Sequence, residues 1–404
     1  MLSSYPLHNL FGPVIGALFT GNAIVVKNSE QTAWSSAYFV SIIRSALTAC
    51  GHDPDLVHAV TCWPQTAGHL SSHPGISHLT FIGSKPVAHE VAKSASKALT
   101  PLCIELGGKD AAIILDDVSG RPTSAGEMER VASIIMRGVF QSAGQNCIGI
   151  ERVIAMPQAY DHLIKTIEPR IKKLRLGSDL DSSAGGEVDV GAMISAASFD
   201  RLESLVVEAV AQGAQLLSGG RRYAHPQYPS GHYFEPTLLT EVTPTMRIAQ
   251  EELFAPICVL MRADSPQHAV QITNGTIYGL GCSVFGPTTS AAARAQLDWV
   301  AKRVRSGMVA LNDFAVFYAV QLPFGGVGGS GYGRFAGEEG LRSLCNAKSV
   351  CTDRWPGLIK TAIPGKLDYP MRADAFDMGK GVIETGYGES WARMFMGIRR
   401  LVGI

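Results

Sequence analysis

Cys147 is the residue whose setting points most directly to covalent chemistry. It ends the stretch Phe140-Gln-Ser-Ala-Gly-Gln-Asn-Cys147, where a predicted helix stops near Gly144 and a strand-like run over residues 149–154 follows. Backbone N–H groups on such a tight connection can point at an oxyanion, which acyl chemistry through a thiol requires. The same local sequence also fits a buried cysteine that acts as a small apolar side chain.

Glu105 is a carboxylate in an unusual place. It lies in Ile104-Glu-Leu-Gly-Gly-Lys109, directly after an apolar run that predicts a strand. At the carboxyl end of a parallel strand, a buried glutamate with a raised pKa can serve as a general base. The alternative is a structural ion pair with a lysine such as Lys109.

Lys27 and Glu30 lie where a predicted strand gives way to a turn and a helix. An acidic residue in that position of a dinucleotide-binding fold accepts hydrogen bonds from ribose hydroxyls. A glutamate on the surface, in the first turn of a helix, explains the same pattern.

Two other kinds of site are not indicated by the sequence. Residues 326–331 match the pattern G-x-G-x-x-G, but they follow Pro323-Phe324 rather than a strand, so we interpret them as a loop and not as a phosphate site. The sequence also has no H-E-x-x-H motif, no CxxC pair and no histidine cluster, so it predicts no metal site.

The elements that must position these residues alternate between helix and strand. From Pro6 to about Leu106 the alternation requires crossover connections and predicts a parallel, doubly wound sheet, which binds ligands beyond the carboxyl ends of its strands. The predicted strands are residues 23–27, 57–61, 78–82 and 102–105, and the predicted helices are about 34–50 and 86–97.

A second α/β unit begins after Gly107-Gly108, and a Gly-rich segment and a tail follow it. Its predicted strands are 111–115 and about 150–156, and its predicted helices are near 126–143, 158–173 and 195–212. The segment Leu322-Pro-Phe-Gly-Gly-Val-Gly-Gly-Ser-Gly-Tyr-Gly-Arg334 is a long Gly-rich loop, and the last fifty residues form a separate tail. The predicted fold class is therefore α/β.

Composition narrows the functional classes. The 404 residues carry 35 Lys+Arg and 35 Asp+Glu, so no global field favours nucleic acid or an acidic membrane. The eight cysteines are scattered, which indicates free thiols in a reducing compartment. No stretch reaches the roughly 18 consecutive apolar residues of a spanning helix. The expectation is a cytoplasmic protein that acts on small molecules.

Six segments, taken together and in order, resemble the aldehyde dehydrogenase superfamily from about Tyr5 to Val350. They are Gly21-Asn-Ala-Ile-Val-Val-Lys-Asn-Ser-Glu30, Phe81-Ile-Gly-Ser84, Glu105-Leu-Gly-Gly-Lys109, Gly144-Gln-Asn-Cys147, Glu251-Glu-Leu-Phe254 and Pro323-Phe-Gly-Gly326. The resemblance implies an aldehyde dehydrogenase fold with a Rossmann-type parallel sheet and a second, catalytic α/β domain. It also implies oxidation of an aldehyde to a carboxylic acid.

The resemblance assigns a role to each candidate residue. Cys147 would attack the aldehyde and carry a thiohemiacetal and then a thioester, which Glu105 would hydrolyse by activating water. The cofactor contacts would be Lys27 and Glu30 at the adenosine ribose, Gly83 and Ser84 along the pyrophosphate, and Glu252 and Phe254 at the nicotinamide ribose and ring. A carboxylate at Glu30 should repel a 2′-phosphate, so NAD is expected rather than NADP.

The resemblance also predicts domains and partners. The implied parts are an incomplete NAD-binding domain over 1–107, a catalytic domain over 108–320, a Gly-rich segment over 321–354 that returns to the first domain and to an oligomer contact, and a carboxyl-terminal extension over 355–404. A small-molecule aldehyde and a homodimer or homotetramer are the expected partners.

Three departures from the family pattern favour an alternative. Ser3-Ser4 precede Tyr5-Pro6 where the family has an oxyanion-binding asparagine, and Ala255 stands where it has a glycine. The family's amino-terminal segment, with the first strand of the nucleotide sheet, is not in the sequence, which would leave its neighbours without ladder partners. The alternative is therefore a catalytically impaired or inactive aldehyde dehydrogenase-like protein, either a fragment or a scaffold subunit. A second enzymatic alternative is a thiol esterase or acyl transferase that uses Cys147 without a cofactor.

The tail after Val350 resembles a fungal and plant branch of the family, whose full-length members carry an amino-terminal membrane anchor. Its last part predicts an amphipathic helix with arginines off the apolar face. That face comprises Trp391, Met394, Phe395, Ile398, Leu401 and Val402. Two interpretations stay open: the face docks on the protein body, or it lies on a membrane surface.

Overall fold

The four β-branched runs of the first hundred residues form strands. This is so in the computed structural model, which describes residues 5–118, 124–178, 180, 187–314, 319–358 and 362–402. The strands are β1 (Ile24–Lys27), β2 (Val57–Val60), β3 (Leu79–Ile82) and β4 (Leu102–Glu105). The helices of this region are α1 (His8–Phe19), α2 (Ala33–Ala49), α3 (Pro64–Ser71) and α4 (Lys85–Ala95). Glu105 and Lys27 each end a strand, as the sequence predicts.

These four strands form two ladders rather than one sheet. β1 pairs in parallel with β2, and β3 pairs in parallel with β4, but among the described residues no ladder joins β1 to β3. The parallel direction is as expected, whereas a single sheet through all four strands is not formed. Each ladder is covered by its own small apolar cluster, with Leu10 and Val14 of α1 against Val26 in the first and Ala88 of α4 against Phe81 in the second.

The second region contains a seven-stranded sheet with the order β13-β12-β5-β6-β11-β10-β7. Its neighbours pair in parallel except for β7, which is an antiparallel edge strand. The strands are β5 (Ala111–Ile114), β6 (Arg152–Ala155), β7 (Gln215–Ser218), β10 (Thr237–Thr240), β11 (Ile257–Arg262), β12 (Gly281–Phe285) and β13 (Met308–Leu311). A separate two-stranded ribbon is formed by β8 (Arg222–Tyr223) and β9 (Tyr233–Phe234).

The helices around this sheet explain why its strands are continuously apolar. Parallel strands covered on both faces have no solvated side, and β5, β6 and β12 are buried along their whole length. The helices are α5 (Ala125–Phe140), α6 (Pro157–Ile171), α7 (Phe199–Ala211), α8 (Arg247–Gln250), α9 (Pro266–Asn274) and α10 (Ala291–Ala301). A further helix, α11 (Gly337–Ser343), contacts α1 instead. The sequence predicted α5 as far as residue 143, but left-handed residues end it at Phe140.

The Gly-rich segment returns to the strand that carries Glu105. Its residues Gly331–Tyr332 form β14, which pairs antiparallel with β4 and places Gly331 opposite Glu105. Before it, Gly328–Ser330 form a single turn of 3-10 helix. The Gly-rich segment therefore supports the strand that carries Glu105 by pairing with it.

The residues divide into two compact units, Met1–Asn346 and Ala347–Ile404. The second contains α12 (Ala375–Tyr387) and α13 (Trp391–Val402), which pack through the small residues Gly381 and Gly397. Trp391 and Phe395 are exposed on α13. Docking of its apolar face on the protein body and contact of that face with a membrane surface both stay predictions. In the described part of the chain, no helix has the length and apolar character needed to span a membrane.

Candidate active site

The Cys147 turn is built from an abrupt change of backbone direction. After α5, the residues Ser142, Ala143 and Gly144 all adopt left-handed conformations, with φ of 55°, 54° and 72°. A Cβ atom on Gly144 would lie 2.1 Å from the carbonyl oxygen of Ala255, so only glycine fits there. The turn therefore leads the chain to Cys147 while packing tightly on the segment that follows Phe254.

Glu105 lies beside Cys147 in a site that excludes most water. It is 2% exposed, and its Oε1 accepts a hydrogen bond of 3.1 Å from the Gly107 N–H. Burial raises the pKa of Glu105 to about 7, and hydrogen bonds from Gly107 and from the Cys147 thiol oppose that rise. The carboxyl group is thus half ionised near neutral pH, in the range that suits a general base.

The alternative interpretation of Glu105, an ion pair with Lys109, is not what the structure contains. The Lys109 ammonium lies 2.8 Å from Oε2 of Glu151, and this pair is fully enclosed by the protein. The Glu105 carboxyl group instead interacts with the Cys147 thiol and accepts a hydrogen bond from the backbone of its own loop.

The thiol of Cys147 is held in its protonated form. Burial raises its pKa well above the ordinary value, and the negative charges of Glu105, Asp110 and Glu252 act in the same direction. A thiolate must therefore form as the proton leaves for a base, since the surroundings do not stabilise it in advance. Glu105 is the carboxylate whose charge acts most strongly on the thiol, so it is the candidate base.

Glu252 and Phe254 lie next to the Glu105 loop. A Cβ on Gly107 would lie 2.2 Å from Oε1 of Glu252, which shows how closely this carboxylate approaches the loop. Burial, and then the charges of Glu151 and Glu105, raise the pKa of Glu252 well above its ordinary value. Phe254 has a left-handed backbone with φ of 52°, whereas Ala255 lies outside that region and replaces the family glycine without backbone strain.

The remaining predicted contacts lie at strand ends of the two ladders. Lys27 donates a hydrogen bond of 2.9 Å to Glu30, and this bond is the main reason that the pKa of Glu30 is lowered. Ser84 precedes α4 without capping it through its side chain, and the Gly83 N–H donates to the carbonyl oxygen of Glu105. Gly83 and Glu105 are therefore direct neighbours across β3 and β4.

An apolar cleft of about 1580 Å³ is lined by residues of both ladders, including Lys27, Glu30 and Phe81. Cys147 and Glu105 are not part of its lining. The cleft thus lies between the two ladders, and the Cys147 thiol and the Glu105 carboxylate lie outside its lining.

Sequence reasoning missed two buried carboxylates of the site. Glu151 pairs with Lys109, and the Asp110 carboxylate accepts a hydrogen bond of 2.9 Å from the Gly281 N–H. The signal was present for Glu151, since it interrupts an apolar run four residues after Cys147. Ser3 and Ser4, which replace the family's oxyanion asparagine, lie outside the described residues. Among the described residues, no cluster of three His, Cys, Asp or Glu side chains could hold a metal ion.

The fold and the site together define an α/β protein in which a thiol on a helix-to-strand turn lies beside a buried carboxyl group at the end of a parallel strand. Comparison with known proteins makes this class specific. Residues 4–350 match the model of the Aldehyde dehydrogenase family. The chain therefore belongs to the aldehyde dehydrogenase family, as the six segments indicated.

Individual relatives agree with this assignment. An aldehyde dehydrogenase-like protein of Saccharomyces cerevisiae is 55% identical over 97% of this chain and 60% of its own length. Human aldehyde dehydrogenase 1A1 is 32% identical over 86% of this chain and 64% of its own. The solved structure of betaine aldehyde dehydrogenase from Staphylococcus aureus in complex with NAD+ has a TM-score of 0.74 at 29% identity, over 84% of this chain and 64% of that one. The chain thus spans about 60–64% of the length of these relatives.

Proposed function

We propose that this chain oxidises an aldehyde to a carboxylic acid with NAD as the hydride acceptor, through a thiohemiacetal and a thioester on Cys147. The observation that supports this most is the pairing of the Cys147 thiol with the buried Glu105 carboxylate: each group shifts the pKa of the other, and burial raises the pKa of Glu105 to about 7. A protonated thiol beside a half-ionised carboxylate is a nucleophile paired with its base.

The proposed steps use these two side chains twice. Glu105 accepts the thiol proton as the sulfur bonds to the aldehyde carbon, and the carbonyl oxygen takes the negative charge beside the Cys147 N–H. NAD, when bound, supplies the hydride acceptor that converts the adduct to a thioester. Glu105 releases the thiol proton to solvent and is then ready to accept a proton from water as the water oxygen attacks the thioester carbon. The tetrahedral adduct collapses by breaking the C–S bond, the carboxylic acid leaves, and Glu105 returns a proton to the Cys147 sulfur.

The residues present fit a dinucleotide. The N-terminus of α4 has no side-chain cap, so the backbone N–H groups of Lys85 and Val87 would be available to pyrophosphate beside Gly83 and Ser84, whereas Pro86 has no N–H to offer. Glu30, kept ionised by Lys27, suits ribose hydroxyls and disfavours a 2′-phosphate, which supports NAD over NADP. Glu252 and Phe254 would hold the nicotinamide ribose and ring.

This function assigns roles to the parts of the chain. Residues 1–107 would bind the cofactor, 108–320 would supply the thiol, and 321–354 would return to the first region and contribute to a homo-oligomer, with 355–404 as an extension. The pairing of β14 with β4 supports the return of the Gly-rich segment.

The test compares purified Cys147→Ala with the wild type, following aldehyde-dependent reduction of NAD by absorbance. We expect complete loss of turnover, because the proposed thiohemiacetal and thioester form on the Cys147 sulfur. Cys345→Ala removes an exposed cysteine and should leave the rate unchanged. Turnover that survives in Cys147→Ala would refute the proposal.

A second candidate is a family member that binds partners without turning over aldehyde. The separate ladders β1–β2 and β3–β4 favour it, because a dinucleotide normally lies across a continuous sheet. In that case calorimetry would show NAD binding weakly or not at all, and the wild type would match Cys147→Ala.

A further inference from the structure

Glu151 is a buried carboxylate to which neither the family resemblance nor the proposed reaction gives a task. It is 6% exposed and lies at the entry to β6, four residues after Cys147. Its backbone N–H donates a hydrogen bond of 3.0 Å to the carbonyl oxygen of Asp110. This backbone hydrogen bond fixes the position of the Glu151 main chain. The orientation of its side chain depends on the partners of its carboxylate.

Three donors converge on the Glu151 carboxylate. The Leu253 N–H lies 2.8 Å from Oε2 and 3.0 Å from Oε1, and the Phe254 N–H lies 2.8 Å from Oε1. The Lys109 ammonium donates to Oε2 at 2.8 Å. A buried carboxylate satisfied by charge-assisted bonds of this length is a strong local anchor.

These donors belong to separate segments of the site. Lys109 ends the loop that begins at Glu105, and Leu253 lies between Glu252 and Phe254, the two residues proposed to hold the nicotinamide ribose and ring. Phe254 adopts a left-handed backbone, which costs energy for a residue with a side chain and persists only where the surroundings hold it. The adjacent N–H groups of Leu253 and Phe254 both donate to the Glu151 carboxylate, which holds the segment at this point.

We propose that Glu151 is a positioning residue that holds the Glu252–Phe254 segment against the Cys147 turn, so that a bound nicotinamide riboside faces the thiol. This inference rests on the proposed function for its consequence, while the anchoring itself does not depend on NAD. Lys109 balances the charge of Glu151, since an unpaired carboxylate buried in this way would be strongly destabilising.

The test uses Glu151→Gln, which keeps the shape of the side chain and removes its charge. A second variant, Lys109→Gln with Glu151→Gln, leaves no buried unpaired charge and protects the test from failure to fold. Glu127→Gln, which breaks the exposed pair with Arg130, is the matched control. Each protein is compared by amide hydrogen exchange over residues 251–256 and by calorimetric titration with NAD.

We expect the amides of Leu253 and Phe254 to exchange at least about tenfold faster in both Glu151 variants, as for the loss of one charge-assisted hydrogen bond. The dissociation constant for NAD should rise by about the same factor. The control should match the wild type in both measurements.

The outcomes separate this inference from the proposed function. Unchanged exchange at Leu253 and Phe254 would overturn the inference, whatever happens to NAD. A lower melting temperature with an unchanged NAD dissociation constant would also overturn it, because that is the signature of a merely structural ion pair. Faster exchange in a protein whose wild type binds no NAD would support the anchoring and refute the proposed function.

Discussion

At the scale of single residues, the main feature of the site is that the Cys147 thiol and the Glu105 carboxyl group both ionise at a higher pH than usual, because their pKa values are raised. The Cys147 thiol is kept neutral by burial and by the carboxylates around it, so its reactivity depends on when Glu105 can take the proton. This differs from thiol sites in which a neighbouring cation stabilises the thiolate in advance. The pH dependence of the reaction should therefore report Glu105.

The first prediction concerns the pH dependence of the reaction, which we expect Glu105 to determine. With a pKa of about 7 it is ionised and able to accept a proton above that pH, and it is protonated and unable to do so below it. We expect kcat/KM for the aldehyde to fall as the pH drops below about 7, because the base is lost. In Glu105→Gln the acid limb should disappear and the steady-state rate should fall by roughly 10²–10⁴.

The measurement is a pH profile of the initial rate of NAD reduction. Glu168→Gln, which breaks an exposed pair with Lys172, should keep the wild-type limb. An unchanged acid limb in Glu105→Gln would show that another group is the base.

Glu30 sets the second prediction, which concerns the cofactor. Its carboxylate stays ionised beside Lys27, and a 2′-phosphate close to it would meet like charge. Glu30→Gln removes that charge and should raise the ratio of kcat/KM for NADP to that for NAD by about tenfold or more, as expected for a like charge within several ångströms. Initial rates with each cofactor give the ratio, and an unchanged ratio would place the 2′-hydroxyl elsewhere.

At the scale of elements, the turn after α5 decides where Cys147 lies. Three successive left-handed residues follow the helix, and the close approach of Gly144 to Ala255 ties the Cys147 turn to the segment after Phe254. Neither feature can change without moving the other, because the contact is between backbone atoms. The Cys147 turn and the segment after Phe254 are therefore expected to move together.

Gly144→Ala tests this coupling. The added Cβ would lie 2.1 Å from the Ala255 carbonyl oxygen on a backbone with φ of 72°, so the turn must shift. A displacement of about 1 Å at a reacting atom can lower the rate by roughly 10². Gly213→Ala is the matched control, since its φ is 105° and no atom lies within 4 Å of the added Cβ. Steady-state rates and the alkylation rate of Cys147 are the measurements. Equal effects of the two changes would argue against the coupling.

At the scale of the unit Met1–Asn346, the region of the seven-stranded sheet and the region of the two ladders differ in the size of their apolar cores. The seven-stranded sheet has one large core formed from both of its faces, whereas the ladders β1–β2 and β3–β4 rest on small separate clusters. Short ladders with unpaired edges have fewer cooperative hydrogen bonds to protect them. Stability should therefore be uneven along the chain.

Amide hydrogen exchange tests this unevenness without any ligand. We expect amides of β1 and β3 to exchange faster than those of β5, β6 and β12, because local opening of a short ladder exposes little apolar surface. Addition of NAD should slow exchange at β1 and β3 more than in the seven-stranded sheet, since a ligand that binds only the native state stabilises it. Equal protection in the two regions would contradict this picture.

The sequence by itself determined the class of fold, the positions of the early strands, and the family. Hydrophobic runs and the residues that end them are local properties, so Glu105 at the end of β4 and Cys147 after α5 could be placed from the sequence with the family motifs as support. The helix α5 was predicted three residues too long, because its end depends on a left-handed turn packed against a distant segment.

Only the tertiary structure decided which charges pair. Lys109 was offered as the partner of Glu105, yet it binds Glu151, which is 42 residues away in the sequence. The tertiary structure also separated the predicted sheet into two ladders and brought Leu253 and Phe254 to the same carboxylate. These contacts join segments that are far apart along the chain, and their geometry is set by the packing of sheets and helices, which no local pattern records.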